Sequence, residues 1–178
     1  TSTKRTIKAS DENENAEGAF ALASVFAEFV ANDQVSFGVS FVPHSATTEE
    51  AENTQNMGTA FSAQATNSVK VSFEDLVTVY GLINLNENVY AKAGFMQVDL
   101  ITEENLGTGG AYGNDTLEGY TIALGYNMNL NDGMFVRGEA AYMEIDGTTL
   151  TNQNDSTKSV SADGITGMGV QVSVGKSF

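Results

Sequence analysis

Between Gly119 and Leu130 large apolar residues alternate with small or polar ones without a miss. Tyr120, Ile122, Leu124, Tyr126, Met128 and Leu130 hold one phase, and Gly119, Thr121, Ala123, Gly125, Asn127 and Asn129 hold the other. A period of two predicts a β-strand. Asn131-Asp132-Gly133 tolerates positive φ, so the chain is expected to reverse there and Met134 to Tyr142 to run back antiparallel. Glycine, alanine and asparagine opposite a large apolar face make a poor core for a soluble sandwich. They suit the inside of a narrow barrel, which turns the apolar phase toward lipid.

The pattern recurs along the chain. Ala19 to Phe29 alternates with an ambiguous phase, Asn32-Asp33-Gln34 turns, and Val35, Phe37, Val39 and Phe41 then oppose Ser36, Gly38 and Ser40. Val69 to Leu85 carries Val69, Val71, Phe73, Val77, Val79, Ile83 and Leu85 against Lys70, Ser72, Glu74, Thr78 and Asn84. Asp75 interrupts this apolar phase, far enough from the turn to reach headgroups or water. Asn86-Glu87-Asn88 turns the chain into Val89 to Phe95, and the last strand, Thr166 to Phe178, again alternates.

Connections at Asn32, Asn86 and Asn131 are short, while those near 45–68, 102–116 and 146–163 are long and read as loops. Strict alternation of short and long links predicts an up-and-down transmembrane β-barrel, with tight turns at one rim and long loops at the other. Phe29 and Phe178 fall at the short-turn rim, and Phe41, Phe73, Tyr120 and Tyr142 toward the long-loop rim, as two interfacial girdles would. The expected fold is therefore all-β and antiparallel, one domain over residues 1–178, with residues 1–17 as an extracellular loop.

About seven strands are predicted, whereas a bacterial single-chain barrel has an even number. One strand missing before Thr1 is the simplest repair. Thr3 to Ala9 is the weaker candidate for it, because that stretch lacks an apolar phase. With seven strands the first and last are edges, unpartnered unless they meet.

The chain resembles the small eight-stranded outer-membrane barrels of the OmpA, OmpX and opacity-protein type. Its end, with Val170, Val172, Val174 and Phe178 in alternation, is similar to the C-terminal signal read by the barrel-assembly machinery in that family. Lys176 departs from the strict pattern, though a lysine near a rim can snorkel. The resemblance implies the outer membrane of a Gram-negative cell, lipid and lipopolysaccharide as surroundings, and no single activity.

Composition agrees. The chain of 178 residues has a net charge of −15, which disfavours nucleic acid or anionic lipid as partners. It contains no cysteine, so there is no disulfide framework or thiolate metal site. A mean hydropathy of −0.16 reads as soluble for a helical protein, but only alternate residues of a barrel strand meet lipid.

Candidate chemistry is sparse. On the lipid-facing assignment, Glu28, Glu74, Lys92, Arg137 and Glu139 point inward and form a charge network, either a gate over a narrow polar path or a buried set of ion pairs. Eight strands leave room for little beyond side chains, which favours the second. His44, the sole histidine, lies beside Ser45 at the long-loop rim without a recognisable partner, so no enzyme is expected. Asp11, Asn13 and Asn15 resemble the start of a calcium loop, but Ala16 and Leu22 stand where glycine and glutamate are needed. The cluster Gly107, Gly109, Gly110 and Gly113 opens no helix and matches no phosphate-binding pattern. Glu49, Glu50, Glu52, Glu103, Glu104, Asp115 and Glu118 make the long-loop rim acidic; hydration is favoured there over cation binding, because no spacing converges. No cofactor or metal is expected, and the extracellular ligand is unknown. The alternative is a soluble, lipocalin-like ligand-binding barrel, with the apolar phase inside.

Overall fold

A computed structural model describes residues 21–43, 45–47, 51–56, 64–106, 111–154, 156–157 and 159–178. Among the described residues eleven strands follow one another: β1 (Val25–Val30), β2 (Val35–Val42), β3 (Ala46–Thr47), β4 (Ala51–Asn56), β5 (Gln64–Asn84), β6 (Val89–Leu106), β7 (Asp115–Asn129), β8 (Met134–Ile145), β9 (Thr148–Thr151), β10 (Ser159–Ala162) and β11 (Ile165–Lys176). The main sheet runs β1-β2-β5-β6-β7-β8-β11, every neighbour antiparallel, and β3 and β4 pair with the upper part of β5. These seven strands curl into a half barrel, open between β1 and β11.

Each short turn has its own local cause. The Asn32 side-chain oxygen accepts from the backbone N–H of Gln34 and Val35, both at 2.9 Å. Asn86 repeats the device with Asn88 at 2.9 Å and Val89 at 2.8 Å. The third turn, a 3-10 turn at Asn131–Gly133, relies on backbone instead, with φ of 60° at Asp132 and 75° at Gly133.

The long connections contain more strand than their sequence suggests. The stretch 45–68 holds β3, β4 and the start of β5, and 146–163 holds the β9–β10 hairpin. Residues 102–106 extend β6, and β7 already begins at Asp115. Polar β-branched residues such as Thr148 and Thr149 pair well at a solvated edge, and apolar periodicity does not reveal them. The hairpin is tied down: Thr148 Oγ1 donates to Asp115, and the Gln153 N–H donates to the Ala111 carbonyl at 2.7 Å.

The ambiguous first strand also resolves. Val25 and Phe29 are exposed on the outer face, whereas Phe26 turns inward, its ring centroid 6.3 Å from that of Phe135 on β8. On the outer face of the later strands Val79, Ile83, Phe95, Ile122, Leu124, Met128 and Val170 are all exposed.

Candidate interior site

Three glycines direct the inner face. Gly38 pairs across strands with Tyr80, Gly125 with Tyr90, and Gly175 with Phe135. In each case a Cβ on the glycine would come within 2.5, 2.1 and 2.1 Å, respectively, of the partner's ring. A ring can therefore lie flat over its glycine and reach along the inner wall, the arrangement in which an aromatic covers the strand's weak point. Tyr80 and Tyr90 are consequently buried, with their hydroxyls aimed at the centre.

Four charged side chains meet those hydroxyls. Arg137 Nη1 donates to Glu28 Oε1 at 2.5 Å, and Tyr80 donates to the same oxygen at 2.8 Å. Lys92 Nζ donates to Glu139 Oε1, and Tyr90 donates to Glu139 Oε2 at 2.9 Å. The two halves interlock. Lys92, bonded to Glu139, lies 5.0 Å over the ring of Tyr80, the tyrosine that serves Glu28. Arg137, bonded to Glu28, lies 5.3 Å from the ring of Tyr90, the tyrosine that serves Glu139. Arg137 Nε also donates to Asn127 at 3.2 Å.

Two carboxylates and two cations cancel, so the cluster carries no net charge. Side-chain exposures of 8–16 % put all four mostly out of water, where breaking one pair leaves a costly orphan. The space left among them is a cavity of about 30 Å³, room for a water or two and not for a solute.

A second layer lies toward the long-loop rim. Met96, Val98, Leu100, Leu117 and Ile145 form a buried apolar cluster, with Phe73, Leu76, Met143 and Leu150 packed against it. Reading the inward phase as uniformly polar misses this layer. The signal was available in the alternation of Met96, Val98 and Leu100 along the inner phase of β6.

Of the five residues expected in the charge network, Glu28, Lys92, Arg137 and Glu139 come together; Glu74 does not. The register of β5 against β6 slips between Glu74 and Val77, at a bulge where Asp75 has φ of 52°. The extra residue exchanges the faces above it. Phe73, opposite Leu100, joins the apolar interior instead of an aromatic girdle, and Glu74 stands opposite Asp99 on the outer face. Sequence reading missed Tyr80 and Tyr90; a glycine directly across from each was the available sign.

The C-terminal residues Val170, Val172, Val174 and Phe178 are exposed on or beyond β11, and Lys176 sits 5.6 Å over the Phe178 ring. Near the long-loop rim Tyr120 and Tyr142 both donate to Glu144 Oε2, at 2.5 and 3.1 Å. His44, the 1–17 segment and Gly107, Gly109 and Gly110 lie outside the described residues, as do Glu49 and Glu50 and the side chains of Glu52, Glu103 and Glu104.

The fold and interior define an all-β, antiparallel up-and-down half barrel in which a packed charge cluster adjoins a cavity of about 510 Å³ lined by Thr78, Met96, Thr121 and Met143. No family model, curated protein or solved structure matches the chain.

Proposed function

We propose that the chain is an outer-membrane β-barrel surface protein of a Gram-negative cell, non-enzymatic, acting in envelope integrity or adhesion. The observation that carries this reading is the inverted distribution of polarity among the described residues: on the short-turn side of the β5 bulge the outer face is an apolar band, while the ion pairs Lys92–Glu139 and Arg137–Glu28 lie inside. From β2 to β8 each strand of the main sheet has an antiparallel neighbour on both sides, the kind of strand-to-strand pairing that a bilayer requires of a spanning structure. Limited passage of small solutes, the third role expected from sequence, would have to cross the matched charge network, beside which a cavity of about 510 Å³ lies. The partners are lipid, lipopolysaccharide and the barrel-assembly machinery, the last through the β11 terminus.

The lipocalin-like alternative needs an apolar chamber inside and a polar surface outside. The interior charge network and the exposed valines of β11 argue against it. The deciding experiment is circular dichroism with gel mobility before and after boiling, on refolded protein with and without detergent micelles. β-Structure and a heat-sensitive compact band that appear only with micelles support the proposal. A folded monomer in plain buffer overturns it.

A further inference from the structure

Between the charge network and the apolar layer the inner face carries small side chains. Thr78 on β5, Thr121 on β7, Ala141 on β8 and Gly169 on β11 line the interior cavity of about 510 Å³, which Lys92 and Glu139 border on one side and Leu76, Met96 and Met143 on the other. Ala141 and Gly169 are cross-strand partners, and a Cβ on Gly169 would meet nothing within 4 Å. The chamber therefore follows from residue size: side chains too short to meet across the interior stand between two groups of longer ones. Small-molecule sites occupy roughly 300–1,000 Å³, and the chamber falls in that range.

We propose that this chamber binds one small uncharged amphiphile, a compact apolar body carrying a single hydroxyl. Lys92 sets the place of the oxygen. An ammonium has three N–H donors. Among the described residues that of Lys92 donates to Glu139, and the Tyr80 ring lies 5.0 Å from it. Donor capacity remains, and Lys92 borders both the small void of the network and the larger chamber. Thr121 supplies the complement. Its hydroxyl proton goes to the Tyr142 carbonyl at 3.0 Å, so toward a ligand its oxygen is an acceptor. Lys92 pairs across strands with Ala123, which puts Thr121 on the diagonal from it on the same face. One hydroxyl can thus accept from Lys92 and donate to Thr121.

Charge decides the rest of the ligand. Lys92 and Glu139 are already matched, so a carboxylate or ammonium brought in beside them would be an unpaired charge mostly out of water. The wall of Leu76, Met96 and Met143 gives a polar group little to bond, so the remainder of the ligand is apolar, and the two flexible thioethers can adapt to its outline. The site rests on the interior geometry and is independent of whether the outer face meets lipid.

The test is a titration of the 178-residue chain, labelled with carbon-13 at its methionine methyl groups, with thymol, in whichever medium folds it, lipid nanodiscs or plain buffer. Met96 and Met143 line the chamber, while Met128 and Met168 are exposed on the outer face and report partitioning alone. Saturable one-to-one shifts are expected at Met96 and Met143, with Met128 and Met168 drifting linearly. p-Cymene, which lacks only the hydroxyl, and cuminate, a carboxylate of similar size, should each bind at least about tenfold more weakly. Ala141→Leu and Gly169→Leu each put a larger side chain into the chamber and should abolish saturation, with unchanged Met128 and Met134 signals showing that the sheet holds. Shifts that never saturate, saturation that survives in both leucine variants, or equal binding of p-cymene or cuminate overturns the proposal. So does the absence of any shift at Met96 and Met143, the result that a chamber already filled by the chain itself would give.

Discussion

Arg137 on β8 bonds Glu28 on β1 at 2.5 Å, joining residues on strands that have four others between them in the sheet. No strand pairing connects these two positions. Curling alone brings them together, so their bond measures whether the sheet is curled.

Breaking that pair from either side is therefore expected to open the molecule. Glu28→Leu or Arg137→Met alone should lose about 3 kcal/mol of stability, because the remaining charge is left buried. The double variant Glu28→Leu/Arg137→Met should lose less than the sum. Urea titration of the four proteins checks this, and strictly additive losses would count against the pair's being buried and direct.

The crosswise arrangement of the tyrosines makes a second prediction. Tyr80→Phe removes the hydroxyl that Glu28 accepts but keeps the ring beneath Lys92. It should cost about 2 kcal/mol, the range for a hydrogen bond to a charged group. Tyr80→Leu should cost more and should couple to Lys92→Met in a double-mutant cycle, whereas Tyr80→Phe should not.

Glycine substitutions separate the two faces. Gly125→Ala puts a methyl group where the Tyr90 ring lies and should cost about 1–3 kcal/mol as the ring swings off Glu139. At Gly138, where a Cβ would meet nothing within 4 Å, alanine should be nearly neutral. Thermal unfolding of both variants side by side is the check.

At the bulge, Asp75→Gly should be tolerated and Asp75→Val should lose roughly 1–3 kcal/mol, since a β-branched residue is strained at positive φ. Deleting Asp75 removes the extra residue, so Leu76, Glu74 and Phe73 should alternate regularly against Val98, Asp99 and Leu100, with Phe73 kept inside and Glu74 kept outside. Cysteine labelling at positions 73 and 74 in the deletion variant checks this directly.

Much of this was legible in the sequence. The three asparagine turns and the phases of β2, β6, β7, β8 and β11 follow from alternation, and Lys92, Arg137 and Glu139 follow from those phases, whereas Glu28 lies on β1, whose phase alternation left ambiguous. Glu74 was misplaced because a bulge costs one residue and leaves no mark in composition; Asp75, a polar residue in the apolar phase, was the trace it left. The β3, β4, β9 and β10 strands were read as loop because their pairing draws on polar residues that have no apolar face to display. The partnership of Tyr80 with Glu28 depends on residues 52 apart, a distance over which no local pattern speaks.

The two interior layers lie at different depths, with charges toward the short turns and apolar side chains toward the long loops. The two mouths therefore oppose entry by different physics. From the short-turn side an ion meets groups that could solvate it, and it can advance only by prising apart partners already matched. From the long-loop side water itself is refused, since Leu100, Leu117 and Ile145 offer it nothing to bond. Loosening either layer alone leaves the other in place, and both border the same cavity of about 510 Å³, with Lys92 and Glu139 from one layer and Met96 and Met143 from the other.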